Sequence, residues 1–536
     1  MVCGSTLLDE VENDITEFIF VTRICNKMIN TEKYFVGIDV GTTNAKCIVI
    51  NETAEIIAQK SCEYSVDSPN PGWAEQDPEK WWINVWDLCI DVISRLKDKQ
   101  NINSIGISGQ MHGLVTLDKN LRSIRPAILW NDQRSVKECD FIIDQAGGLD
   151  DLLSITNNNM LTGYTGSKII WLQNNEKENC RKIYKILLPK DYVRLQMTGE
   201  LLTDITDASG TGLFDVKNRC WAESLINRLN IPREWFPVVA GSMEKCGYLK
   251  PQLAKTLGLD KKIPVITGAG DAVIQPLGSG ILDSSEGLLV IGTGGNVTVQ
   301  LPGYMHNKAG NLQIFCGIFP GTYVAMGVTL SAGDSLKWLR DLLQTGIGQL
   351  NNGSADITFA EISDLAGKSS PGAGNLLFLP YLSGERCPYP DHLAKGSFIG
   401  LNTKTSLSDI VRAVLEGVSF SLKDVTLLIE QSGVDFKSLF LSGGGARSEL
   451  WRQILADIFD KKIATVSTSA QGSAFGAALL AGLSENAWSS PSGLKRLIPV
   501  TSEEIPDNER VATYNKLFSA YQQGYPQLKP IFNLLS

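Results

Sequence analysis

The stretch YFVGIDVGTTNAKCIVI, residues 34–50, decides how the rest of the chain is read. Two apolar, β-branched runs flank a turn of glycine and threonine that carries one acid, Asp39. Such runs around a Gly-Thr turn predict a β-hairpin. Gly37 and Gly41 leave the turn without bulk, so a ligand could approach its backbone. Successive amide groups and the hydroxyls of Thr42 and Thr43 suit phosphate oxygens. About 250 residues later the pattern returns as LLVIGTGGNVTVQ, 288–300, with its turn at Gly292, Thr293, Gly294 and Gly295. Repeated architecture predicts two related domains, each opening on a phosphate-sized hairpin, with the boundary near 277–285. The chain then divides into an extension 1–33 without an assigned role, domains at 34–280 and 281–515, and a tail 516–536.

Composition agrees with a large globular α/β protein. The chain has 536 residues, 43% hydrophobic and 20% charged, enough for more than one core. A net charge of -9 argues against a nucleic-acid or anionic-membrane partner, yet permits a local pocket for a small anion. Eleven cysteines without CxxC spacing suggest a reducing cytoplasm. No apolar run nears the roughly 18 residues of a membrane helix. The acidic leader, with Asp9, Glu10, Glu12, Asp14 and Glu17, is unlike a signal peptide, and Met1 and Met28 both remain open as the start.

Strands and helices alternate beyond the hairpin. Asp77-Pro78 predicts a helix start, and Trp82, Val85, Trp86, Cys89, Ile90 and Ile93 recur at helical spacing, which places the tryptophans in the core. Strands over 102–108 and 126–130 end in Gly109-Gln-Met-His-Gly113 and Asn131-Asp-Gln-Arg134, polar loops where open α/β sheets bind ligands. A strand over 263–267 runs through Gly268-Ala-Gly to Asp271, ahead of a small-residue helix. Near the helix dipole Asp271 could stay ionised and accept a hydroxyl proton, although an ordinary N-cap is the commoner fate of such a residue. Asp39 is a turn residue or, functionally, a support for Mg²⁺ through water. His112 at a strand end is a candidate for hydrogen-bonding a sugar. A strand over 438–441 meets Ser442-Gly-Gly-Gly-Ala446, a loop suited to base and ribose. Ala366-Gly-Lys-Ser369 is no P-loop, because Ile362 stands where the first glycine is required. Each turn alone is commonly only a turn; together they predict a nucleotide cleft between two domains.

These segments resemble the FGGY family of carbohydrate kinases from about residue 34 to 515. The likeness rests on GIDVGTTNAK at 37–46, PGWAEQDPEKWW at 71–82, SGQMHG at 108–113, PAILWNDQRS at 126–135, LLPKDYVRLQMTGE at 187–200, FLPYLSGER at 378–386 and SGGGARSELWRQILAD at 442–457. The two family signatures lie at 164–171 and 396–416. The resemblance implies the α/β two-domain ATPase fold of hexokinase, actin and heat-shock chaperones, with a central cleft. It implies ATP and Mg²⁺ as cofactors and a small-molecule sugar as partner, with Gln-Met-His-Gly pointing to D-xylulose rather than glycerol. Asp271 is then the general base, Asp39 the Mg²⁺–ATP support, and Met111 and His112 the sugar contacts. Gly41, Thr42, Thr43, Lys46, Gly292, Thr293 and Gly294 would bind phosphates; Trp338, Gly444 and Gly445 would bind the nucleoside. Three positions depart from the family: Ala272 for the usual Asn, Ser167 for Pro, and Gly294 for Ser. Ala272 leaves the sugar open, so a kinase for another ketopentose or polyol stands as an alternative. A non-enzymatic actin-like or chaperone-like protein is a further one, and a homodimer is left open.

Overall fold

The computed structural model describes residues 32–351, 356–431, 433–469, 471–488 and 490–535. The extension 1–33 lies outside them except for its last two residues. Tyr34–Val40 and Asn44–Asn51 pair antiparallel as the first hairpin. Their side chains are almost all buried, as expected of strands covered on both faces. The first seven-stranded sheet runs in the order Lys245–Tyr248, Pro264–Ile266, Ile102–Gly109, Tyr34–Val40, Asn44–Asn51, Ile56–Glu63, with Ala269–Gly270 also on Ile102–Gly109. The second runs Gln313–Cys316, Tyr323–Thr329, Gly295–Leu301, Glu286–Ile291, Ser438–Gly443, Lys462–Val466, Val500–Glu504.

The repeat read from the sequence is therefore a repeat of topology. In each sheet the hairpin's first strand also pairs in parallel with a later strand, Ile102–Gly109 or Ser438–Gly443. That parallel strand ends level with the hairpin turn, which puts the loops after it at the carboxyl edge where open sheets place ligands.

The helix Gly472–Ser484 joins the halves. It comes from the second, yet lies against Tyr34–Val40 and Ile102–Gly109 of the first. A Cβ on Gly37 would stand 2.0 Å from the Ala474 carbonyl oxygen, and one on Gly106 2.0 Å from that of Ala477. Gly37 is thus bare to admit a helix; the expectation that it admits a ligand is corrected. Gly278, at the end of the helix Asp271–Gly278, is bare for the same partner, 2.3 Å from the Gly472 carbonyl oxygen.

Two helical expectations shift in detail. Pro78–Ser94 is capped by Asp77, whose side chain accepts from the Glu79 amide. Its core stripe runs through Trp81, Val85, Leu88, Cys89 and Val92, and Trp82 and Trp86 stack on each other half-buried at 5.5 Å. Val85, Cys89 and Ile93 are buried as predicted, but Trp81 takes the core place expected of Trp82 and Trp86, its Nε1 donating inward to Gln76 Oε1 at 3.0 Å. The segment 516–534 is no tail: the last helix, Asn508–Leu534, crosses 515 without a break. No helix among the described residues is long and apolar enough to cross a membrane.

Candidate active site

The strand Ile102–Gly109 ends at a loop that aims Met111 and His112 into a cavity of 240 Å³, which Asp271 and Ala272 also line. His112 adopts a left-handed backbone, φ 68°, a conformation that costs about 1–3 kcal/mol in a residue of this kind. Its surroundings hold it there. The His112 carbonyl accepts from Lys168 Nζ at 2.9 Å and from Thr165 Oγ1 at 3.0 Å, while its ring Nδ1 meets the Gly210 carbonyl at 2.6 Å. A carbonyl can only accept, so Nδ1 carries the proton and Nε2 is an acceptor. Burial pushes the His112 pKa down to about 3, with nearby Lys168 and Arg386 acting in the same direction. The ring is a fixed, neutral acceptor.

Lys168, fully buried, bonds the Gly163 carbonyl at 2.6 Å as well, and burial lowers its pKa to about 7. Ser167, where the resemblance leads one to expect proline, bonds Ser135 at 2.9 Å and donates to the Tyr164 carbonyl at 3.1 Å. The hydroxyl thus ties the helix Thr165–Asn175 down locally.

Asp271 is the first residue of Asp271–Gly278, with Gly270 in the cap position and no side-chain cap. The ordinary-cap reading therefore does not hold. Its Oδ1 accepts from the Ala272 amide at 2.7 Å. Burial, reinforced by the charge of Asp39 and opposed by backbone donors, raises its pKa to about 7. The carboxylate that could stay ionised beside the helix dipole is instead poised between its two forms at neutral pH. Asp39 accepts from Ser108 Oγ at 2.7 Å. Burial raises its pKa, against the pull of Ser108 and of the nearby Lys46 ammonium. Lys46 Nζ reaches Gln471 Oε1 at 3.2 Å, just ahead of the joining helix.

The first turn is anchored from several sides. Tyr64 donates to the Gly41 carbonyl at 2.6 Å, Gln76 to the Thr42 carbonyl at 2.7 Å, and Trp130 Nε1 to Thr42 Oγ1 at 2.9 Å. Trp130 also lines the 240 Å³ cavity, which connects that turn to it. Thr43 faces a separate open recess with Asn44 and Tyr64.

A larger cavity of 1200 Å³ lies in the second half. Gly292 and Thr293 form one wall and Gly444 and Gly445 another. The Thr293 carbonyl accepts from the amides of Ala332 and Asp334, so the turn docks onto the helix Gly333–Asn351. Two expected residues fall outside this cavity. Gly294 is packed against the Thr329 carbonyl, 2.7 Å from where its Cβ would be, and Trp338 lies parallel to Phe378 at 6.2 Å, leaving Asp334, Leu336 and Lys337 as the helix's lining residues. A third wall was missed: the helix Phe359–Gly367, whose capping box between Thr358 and Glu361 is legible as Thr-x-x-Glu. Ala366-Gly367 closes that helix.

In the loop 131–134, Asp132 and Arg134 turn inward while Asn131 and Gln133 are exposed. Asp132 and Arg134 pair at 2.7 Å with 0% and 1% side-chain exposure, and Arg134 lies 3.6 Å over the Trp73 ring. They brace the loop, and only Trp130 reaches the cavity. Gln275, Asn296, Gln313, Arg386 and Ser473 also line it; Arg386 ends the quoted FLPYLSGER segment and Asn296 lies in the second hairpin, but no local motif marks Gln275, Gln313 or Ser473.

Two family models match the chain, the N-terminal domain of the FGGY family of carbohydrate kinases over residues 34–278 and its C-terminal domain over 287–485. The chain belongs to the FGGY family of carbohydrate kinases. It is therefore a phosphotransferase of the sugar-kinase class, using ATP. The xylulose kinase of Escherichia coli (strain K12) is 37% identical over 497 residues, 93% of this chain and 99% of that protein. The ligand-bound xylulose kinase of Lactobacillus acidophilus superposes with a TM-score of 0.87 at 27% identity, covering 94% of this chain and all of that one. A gluconate kinase from the same organism gives 0.86 at 28%, again with 94% and 100% coverage. For an FGGY kinase, the small cavity is the candidate sugar site and the large one the candidate nucleotide site.

Proposed function

We propose that the protein phosphorylates D-xylulose at its terminal hydroxyl with MgATP, giving D-xylulose 5-phosphate and ADP. The observation that carries this is the meeting of Met111, His112 and Asp271 in one small cavity, within a chain 37% identical to a xylulose kinase along almost its whole length. A volume of 240 Å³ falls below the roughly 300–1,000 Å³ of sites for drug-sized ligands and suits a five-carbon sugar.

His112 Nε2 accepts a hydrogen bond from a sugar hydroxyl and so fixes its orientation. Asp271, in its ionised form, takes the proton of the attacking hydroxyl. Gly292 and Thr293 contribute to the phosphate side, and Gly444 and Gly445 hold the nucleoside. The chain's residues fit a divalent cation that arrives with the nucleotide. Asp39 and Asp271 form a negative centre, and among the described residues no group of three His, Cys, Asp or Glu could hold an ion alone. Mg²⁺ supplies charge neutralisation on the phosphates; Asp39 supports it, with Lys46 and Ser108 keeping that carboxylate in place.

A coupled ADP-release assay over pentuloses, polyols and sugar acids tests the reading. The expected result is strong, D-xylulose-dependent ADP formation that Asp271→Ala lowers by about 10²–10⁴-fold while ATP still binds. ATP hydrolysis unaffected by any sugar would overturn it.

A further inference from the structure

The sugar cavity has a second end. Beyond Tyr164, Leu161, Gln313, Val328 and Arg386 it continues into a narrow chamber lined also by Asn159 and Pro390, which neither Asp271 nor His112 reaches. Three polar groups at this junction have unused capacity. The Tyr164 hydroxyl, on a side chain 1% exposed, has no hydrogen-bond partner, and neither has Gln313 Oε1, on one 6% exposed. Among the described residues no carboxylate stands within 4.0 Å of the Arg386 guanidinium.

Glu385, the adjacent acid, does not fill that role. Its Oε1 faces the backbone, accepting from the Leu330 amide at 3.0 Å and the Arg386 amide at 2.7 Å. Burial, opposed by those donors, raises its pKa to about 8, so it is largely neutral at pH 7. The remaining residues shared by the cavity and the chamber are Leu161 and Val328, both apolar. Arg386 is half-buried and Glu385 acts on it through charge alone, so its guanidinium donors remain free toward the cavity, and an arginine's planar donors match a carboxylate in two parallel bonds.

We propose that Arg386, with Tyr164 and Gln313, forms an anion-accepting subsite at the end of the sugar cavity opposite Asp271, fitted to the carboxylate of a five-carbon aldonate. The idea rests on the sugar occupying this cavity. An aldonate and a pentulose of equal length both place a terminal hydroxyl toward Asp271 when their oxidised end lies at Arg386. The Tyr164 hydroxyl donates to that end, and Gln313 Oε1 accepts from the neighbouring hydroxyl. Keto and carboxylate oxygens are both acceptors, but only the carboxylate takes the full charge of the guanidinium.

Calorimetry without nucleotide tests this with D-xylonate and its uncharged counterpart xylitol. D-Xylonate is expected to bind wild type at least tenfold more tightly than xylitol. Arg386→Gln should remove at least tenfold of the xylonate affinity while xylitol changes less than threefold. Tyr164→Phe, which deletes one hydroxyl, should weaken xylonate a few-fold and serves if Arg386→Gln does not fold. Equal binding of the two ligands by wild type, or xylonate affinity unchanged in both variants, would overturn the proposal. Because binding is read directly, a failure of D-xylulose turnover would refute the proposed function and leave this result separate.

Discussion

Replacing Asp271 by Asn should disable the enzyme and stabilise the unliganded protein, by an amount that depends on pH. Burial and Asp39 raise the Asp271 pKa from 3.8 to about 7. A carboxyl group with a raised folded-state pKa stabilises the fold fully below its unfolded pKa, and that stability is lost as pH rises through the folded value. Wild type therefore loses stability between about pH 4 and pH 7, whereas Asp271→Asn carries no such dependence at this site. At 1.36 kcal/mol per pKa unit the whole window amounts to about 4 kcal/mol, and the part between pH 5 and pH 8 to about 2–3 kcal/mol. Asp271 opens into the cavity, so solvent screening reduces this to about 1 kcal/mol, or ~1 °C in Tm for a chain of this length. The assay is thermal unfolding of both proteins from pH 5 to 8, without nucleotide or divalent cation. The Tm advantage of Asp271→Asn should grow with pH and level off above pH 8. A constant gap, or one shrinking as pH rises, would refute the assignment of a charge held at a cost in a closed site.

Three other perturbations separate packing from chemistry. His112→Ala should raise the sugar KM by about tenfold, the worth of one good hydrogen bond, and leave the ATP KM unchanged; any inflection of the sugar KM near pH 7 should persist in that variant, because the ring stays neutral down to about pH 3 while Asp271 and Lys168 are the groups poised near 7. Gly37→Ala should destabilise by about 1–3 kcal/mol or more in thermal unfolding, since its Cβ would stand 2.0 Å from the Ala474 oxygen, whereas Gly303→Ala meets nothing within 4 Å and should be near neutral. Gly444→Leu should raise the ATP KM at least tenfold without moving the sugar KM, because a Cβ there meets only Ile291, 3.9 Å away, and the rest of the side chain enters the large cavity; Trp338→Ala, outside that cavity, should leave the ATP KM within twofold.

Local chemistry made parts of this legible in advance. The hairpins, the strand-end loops and Asp271 announce themselves because strand periodicity, turn glycines and a lone acid are properties of adjacent residues. Contacts between distant segments left no such mark. Gly37 looked like room for a ligand and is room for a helix 437 residues further on, at Ala474. Arg134 and Asp132 looked like site residues and are paired inside the fold. Gln313 and Ser473 reach the cavity from the second half with nothing beside them in sequence to say so, and the segments that carry Asn296 and Arg386 gave no sign that these two side chains would meet Asp271 there. Trp338 carries the opposite lesson: its position in the chain matched the resemblance, but its ring turned to Phe378.

The joining helix gives the two halves a shared mechanical part at the chemical centre. Gly472–Ser484 belongs to the second half by sequence, yet Gly37, Gly106 and Gly278 bring it into backbone contact with the first. At its start, Gln471 accepts from Lys46, the cation beside Asp39, and Ser473 donates to the Asp271 carbonyl at 3.2 Å while lining the sugar cavity. Any rotation of one half against the other must carry or turn about this helix, and so must act on both acids together. Closure around substrate in kinases completes the catalytic arrangement and excludes water. Here the same rigid element that would transmit closure also sets the environments of Asp39 and Asp271. The glycines that opened the question of phosphate binding thus divide into two groups: those of the turns line a cavity or brace the loops, and Gly37, in its strand, lets the two halves of the enzyme share a helix that starts beside Asp39 and Asp271.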